Sequence, residues 1–142
     1  MESNLASVNQ MSDFDFYKLK GKTFYTVMAP SGTHKSSRTS YLGSYCTHSF
    51  VNQEGLTMNC SCVLSNDNDC LIATSMSDSN LKWIMKIIDT DYDNYLIKTT
   101  DKGIYLMVKD FKNTALIDSL ISKYKIEGVF VEQSWLKINI KI

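Results

Sequence analysis

Short period-two runs, each closed by turn residues, recur along most of this chain and constrain it to an antiparallel sheet. The runs cover residues 22–29, 41–51, 56–64, 70–76, 81–88, 94–100 and 104–109. Most separators are short and turn-forming, such as "NQEG", "SNDND", "SDSN" and "DKG". Only "PSGTHKSSRTS" (30–40), which holds the one proline, reads as a longer polar loop. A meander of seven or eight strands must curl and close, because an open sheet would leave two adhesive edges. The expectation is an all-β, eight-stranded, up-and-down antiparallel barrel. Its interior would be just wide enough for side chains or one small ligand.

The texture changes after Asp110. Leu116, Ile117, Leu120, Ile121 and Tyr124 fall on one helical face. Asn113 or Thr114 is available as N-cap, and Gly128 stands just past the expected end. The tail "LKINIKI" alternates strictly and predicts a final, half-buried strand. The single helix cannot fit inside so small a barrel, so its apolar stripe is expected to pack on the outer wall.

The 142 residues suit one domain, 1–142, with 1–13 expected to be a flexible N-terminal segment. Lys plus Arg equals Asp plus Glu at 15 each, and no basic stripe points to nucleic acid or an anionic membrane. No apolar run approaches the ~20 residues that span a bilayer. The first thirteen residues lack the apolar core of a secretory signal, so the chain is either intracellular or a secreted protein whose signal has been removed.

Cys46, Cys60, Cys62 and Cys70 are the only cysteines. Their even count fits two disulfides and an oxidising compartment, with a zinc site or free core thiols as the rivals. Centring the hairpins near Gln53 and Asn66 sets Cys46 opposite Cys60 and Cys62 opposite Cys70, which makes bridges 46–60 and 62–70 reasonable. Asn59-Cys60-Ser61 matches a glycosylation acceptor, but a mid-strand position makes chance the better account. His34 and His48 have no partner pattern that makes them metal ligands. No nucleophile elbow, triad spacing or phosphate loop occurs, so the chain is expected not to be an enzyme and to need no cofactor or metal.

Two stretches carry a resemblance. "DFDFYKLKGKTFYTVMA" (13–29) opens the first strand, and "TDYDNYLIK" (90–98) leads to "GIYLMVK" (103–109). In order and distance these resemble the three motifs of the lipocalins, closest to insect-type bilin-binding, apolipoprotein-D-like and salivary members. The resemblance implies that Phe24, at the family's tryptophan position, plugs the closed end. It implies that Lys109 lies over that ring as a cation, and that Gly21, Thr90, Asp91 and Tyr92 shape the base. The departures are Phe for Trp and Gly21 three residues before it. The chain is short for the family, so one strand, the fifth, is expected to be trimmed or fused. The family's disulfide from the second strand to a C-terminal cysteine has no counterpart here.

If Phe24 points inward, strand parity assigns the rest. Thr26 and Met28 would face the lumen from the first strand. Trp83, Met85 and Ile87 would do so with Lys82 and Lys86 outside. Tyr95, Ile97 and Thr99 would do so with Lys98 outside, and Tyr105 and Met107 from the last barrel strand. The opposite parity leaves Ile84, Ile88, Leu96 and Val108 for the helix to cover.

The expected lumen is aromatic, Met-rich and nearly free of charge. Such a cup suits non-enzymatic binding, transport or sequestration of a small hydrophobic or aromatic ligand by a secreted protein, monomeric or weakly dimeric. The alternative is a filled barrel that grips a protein partner through rim loops at 30–40, 52–55 and 77–80.

Overall fold

The computed structural model describes residues 9–33, 35–131 and 133. A short 3₁₀ turn, Phe16–Leu19, precedes eight barrel strands. These are β1 (Thr23–Ala29), β2 (Ser36–Tyr41), β3 (Cys46–Val51), β4 (Thr57–Leu64), β5 (Leu71–Ser75), β6 (Lys82–Thr90), β7 (Tyr95–Thr100) and β8 (Gly103–Val108). Helix α1 (Thr114–Tyr124) and a two-residue strand, β9 (Val129–Phe130), follow. Every neighbouring pair is antiparallel, and β1 pairs with both β8 and β2, so the eight strands close into a barrel. The tail strand expected over 136–142 lies outside the described residues.

The second strand differs from the sequence reading. The stretch 30–40 is not all loop, because Ser36–Tyr41 pairs in full with β3. The 41–51 run is correspondingly a hairpin, bent between Tyr41 and Cys46 at Gly43, which has φ +107. The eight barrel strands remain separate, and the fifth, β5, is the shortest of them at 5 residues. β2 escapes a hydrophobic pattern because its inward side chains are mostly hydroxyls satisfied across the ladder. Ser37 Oγ lies 2.5 Å from Thr26 Oγ1, and Thr39 Oγ1 lies 2.8 Å from His48 Nδ1. A buried polar row is stable when each member has such a partner.

One apolar cluster fills the lower barrel. It includes Leu19, Phe24, Tyr41, Leu71, Ile87, Leu96 and Met107, together with Cys46, Cys60 and Cys62. A second lies on the outer wall, where Ile117 and Leu120 of α1 pack with Val27, Met28, Ile97, Leu106 and Val108. The helix face is the one the 3.6-residue period predicts. Asn113 Oδ1 caps it by accepting from the Leu116 N–H at 3.2 Å. Its C-terminal end turns at Lys125, in the left-handed region at φ 53, rather than at Gly128. Gly128 serves a different need: a Cβ there would meet the Ala29 carbonyl oxygen at 2.3 Å. That close approach lets β9 join the edge of β1 beyond its pairing with β2. At the helix end, the Tyr124 and Tyr95 hydroxyls both donate to the Asp89 carboxylate, tying α1 to the wall.

Residues 9–13 are not a loose end. The Met11 N–H donates to the Ile87 carbonyl at 2.8 Å, and Met11 packs on the lower cluster.

Candidate functional site

The two ends of the barrel are built differently. At the base, the 3₁₀ turn brings Phe16 and Leu19 under the strands, and Tyr41 meets both Phe16 and Phe24 edge-on at 5.9 Å. Phe24 is fully buried. Gly21, at φ +83, turns the chain into β1 in a region that L side chains rarely adopt. The loop at Thr90–Asn94 is held by its own side chains. Thr90 Oγ1 accepts from the Tyr92 N–H, and Asp91 Oδ1 accepts from the N–H groups of Asp93, Asn94 and Tyr95. Burial alone would push the Asp91 carboxyl up, but these donors outweigh it and hold it below the usual carboxylate range. Tyr92 stacks on Phe14, and its hydroxyl accepts the Asp15 N–H at 2.9 Å.

The expected cation does not cover the plug. Lys109 is exposed, and its backbone N–H donates to the Asn94 carbonyl. Phe24 is instead covered by apolar neighbours, with the Tyr41 edge against its ring. Other lysines serve this end: Lys18 Nζ stands 5.2 Å from the centre of the Tyr92 ring, and Lys22 Nζ donates to the Tyr92 carbonyl at 2.7 Å and to the Asp93 carboxylate at 2.6 Å.

The opposite end is open. A cavity of about 310 Å³ enters the barrel between the β1–β2 loop and the β7–β8 turn. Its lining includes Phe50, Trp83, Met85, Tyr105, His48 and Lys98, with Thr33, Asp101 and Lys102 among the residues nearer the rim. The volume is at the small end of the range for ligand pockets, about 300–1,000 Å³. The lumen is thus packed below and hollow above.

Strand parity holds on β6 and β8 and fails on two others. Trp83, Met85, Ile87 and Met107 belong to the lumen cluster, and Tyr105 lines the cavity. Thr26 is buried on the Phe24 face against Ser37. Met28 lies on the helix side, because the β1–β8 register shifts between Thr26 and Met28. Tyr95 and Ile97 also belong to the outer cluster, while Leu96 and Lys98 face in. Thr99, of the same parity as Ile97, bonds the Gly103 carbonyl. The register of β6 and β7 shifts between Ile87 and Asp89, and the rule that lysines face water assigned β7 to the wrong face. Of the residues expected outside, Ile88 and Val108 do meet the helix cluster, Leu96 does not, and Ile84 is exposed.

Lys98 therefore places a cation in a lumen expected to be nearly uncharged. It is 4% exposed. Its Nζ reaches Met85 Sδ at 3.5 Å and stands 5.2 Å from the centre of the Tyr105 ring. Burial lowers its pKa, against a smaller opposing effect of the nearby thiols.

The cysteines are free. Cys46 faces Cys62, Cys60 faces His48 on one side and Ser75 on the other, and Cys62 also faces Ala73. The 46–60 and 62–70 bridges fail because both hairpins centre later than their turn composition suggests. The Cys46 thiol is hydrogen-bonded to Cys62, an interaction that raises Cys46 and lowers Cys62. Burial pushes Cys60 up to about 12. Among the described residues no group of acids, histidines and cysteines is arranged to hold a metal ion. The Asn59 side chain faces out and accepts from Ser49 Oγ. His34 lies outside the described residues.

No known family model matches this chain, and no curated protein sequence does. Its fold is similar to that of the chain in a crystal structure of an LTBP1–LTC4 complex, with a TM-score of 0.60 and 18% identity. That likeness covers 92% of this chain and 94% of the other.

Proposed function

We propose that the chain is a lipocalin-type, non-enzymatic binding protein that draws a small apolar or flat aromatic molecule into the cavity at the barrel mouth. The observation that carries this reading is the hollow of about 310 Å³ walled by Phe50, Trp83, Met85 and Tyr105 above a packed base. Transfer of apolar surface from water into such walls is favourable by ~25 cal/mol per Å². A barrel of this fold stands in complex with LTC4 in the LTBP1 structure, which supports a ligand-binding use at the level of fold. Secretion belongs to the proposal through the family resemblance only, because the free thiols remove the disulfide argument.

A neutral fluorescent probe, N-phenyl-1-naphthylamine, tests it. The expected result is saturable one-to-one binding with a blue shift, weakened at least tenfold by Trp83→Ala and unchanged by Tyr17→Ala at the base. Absence of saturable binding rejects the reading.

One observation favours a second use. Leu56, Met76 and Leu81 are large, exposed apolar residues on two mouth turns, β3–β4 and β5–β6. Such a rim fits a protein partner. A barrel that binds no probe but loses a partner on Leu56→Ser plus Met76→Ser would belong to this reading.

A further inference from the structure

The cavity contains a group that a purely apolar ligand leaves unsatisfied. A lysine stem of four methylenes usually carries its ammonium to water along an apolar surface. Lys98 has Thr100 between it and the β7–β8 turn and remains 4% exposed, so its amine ends inside. The partners it finds there are soft: the Met85 thioether and the face of Tyr105. Burying an ammonium without a charge partner is costly. Among the described residues the carboxylates are committed elsewhere or at the rim. Asp89 accepts from two tyrosines, Asp93 holds Lys22, and Asp101 is exposed in the turn.

Resting on the binding role just proposed, we infer that the ligand is an amphiphilic acid. Its anionic head pairs with the Lys98 ammonium while its apolar body lies against Phe50, Trp83 and Met85. The pair would be a charge-assisted hydrogen bond in a dry site, the strong form of that interaction. A neutral ligand would cover Lys98 without satisfying it. The carboxylate on the cavity lining, Asp101, stands in the exposed turn at the rim, and deeper in the barrel the Cys62 thiol has its pKa lowered by its contact with Cys46. The groups that face the amine are Ile87 and Met85 on β6, Tyr105 on β8, and the thiols of Cys46, Cys60 and Cys62 on β3 and β4. The thiols of Cys46 and Cys60 are both raised and so neutral near pH 7.

Displacement of N-phenyl-1-naphthylamine by decanoate and by naphthalene-2-carboxylate, each beside its methyl ester, tests the inference on the intact chain at pH 7. The expected result is that at least one acid binds ten times or more tighter than its ester, the tighter acid revealing whether the body is aliphatic or aromatic. Lys98→Met should bring acid and ester to the same affinity. Should that variant not fold, ¹⁵N-lysine NMR on the unaltered protein reads the same point: the acid, and not its ester, should raise the Lys98 pKa. Equal affinity of acid and ester in the unaltered protein overturns the inference and leaves the cavity reading standing. So does an acid preference that survives in Lys98→Met. If neither acid nor ester displaces the probe and the probe itself does not bind, the binding role fails and the acid head with it.

Discussion

The base and the mouth of this barrel share the same strands but follow opposite rules. At the base, Phe24 on β1, Leu96 on β7 and Met107 on β8 share one buried apolar cluster with Tyr41 and the 3₁₀ leucine, Leu19, and the Tyr41 edge meets the Phe24 ring. A few residues along those strands, Lys98, Thr100 and Tyr105 surround a hollow. The base stabilises the fold by burial, and that burial supports a mouth left incompletely satisfied. Binding sites commonly sit where a scaffold tolerates such local deficits.

The division is tested most severely by deleting a ring at each end. Phe24→Ala should lower the free energy of unfolding by about 3–5 kcal/mol, because the fully buried site cannot collapse around the lost ring. Trp83→Ala removes a larger side chain from a wall that already faces a hollow, and should cost no more than about 2 kcal/mol. Urea denaturation of both variants reads the difference. Equal losses would mean that the hollow contributes to stability as a core does, and the distinction between the ends would go.

The next effect has the opposite sign. Lys98→Met replaces an amine with poor partners by an apolar chain of similar length, and should stabilise the unliganded protein by about 1–3 kcal/mol. The pH dependence follows from linkage. A lysine with a depressed pKa in the folded state binds fewer protons there than in the unfolded chain. Its contribution is therefore fully present above the unfolded value of about 10.4 and is lost as pH falls through the folded value. Thermal melts of the two proteins from neutral to alkaline pH should show the advantage of Lys98→Met shrinking as pH rises. The tyrosines raised by burial, Tyr41 and Tyr105, act in the other direction in both proteins and cancel in the difference.

Lys98 also shows where sequence reasoning stops. A strand pattern is readable when charge marks the wet face, as Lys82 and Lys86 do on β6, and there the inward Trp83, Met85 and Ile87 were legible. On β7 the same rule inverted the strand, since the one lysine is the residue that faces in. β2 was invisible for a related reason: its inward Ser37 and Thr39 are hydrogen-bonded to Thr26 on β1 and His48 on β3, so no apolar period marks the strand. The Met28 error came from a bulge, which changes the face without leaving a trace in composition. The cysteine pairings failed by register. Cys46 pairs with Cys62 rather than Cys60, a shift of two residues that keeps the side chain on the same face and changes only its partner. Closure and the helix stripe were legible from edge pairing and a 3.6-residue period, whereas the Thr90–Tyr92 turn entered through the family resemblance, and its Asp91 carboxylate accepting three consecutive N–H groups is visible only in the structure.

That turn supplies the smallest and most local contrast. The base should respond to acid where the mouth responds to alkali. Asp91 has its pKa held below the usual range by the donors around it, so it contributes stability in full above the unfolded value of about 3.9. That contribution is lost as pH falls through the lower, folded value. Because the carboxylate is largely exposed, solvent screening keeps the effect under about 1 kcal/mol, and Asp91→Ala should cost no more than that. The sensitive readout is local. The Asn94 and Tyr95 amide resonances should hold their positions down to pH 4 and move together below it. Movement at or above pH 4 would show that the three N–H donors do not grip the carboxylate. The base would then depend on its aromatic packing alone.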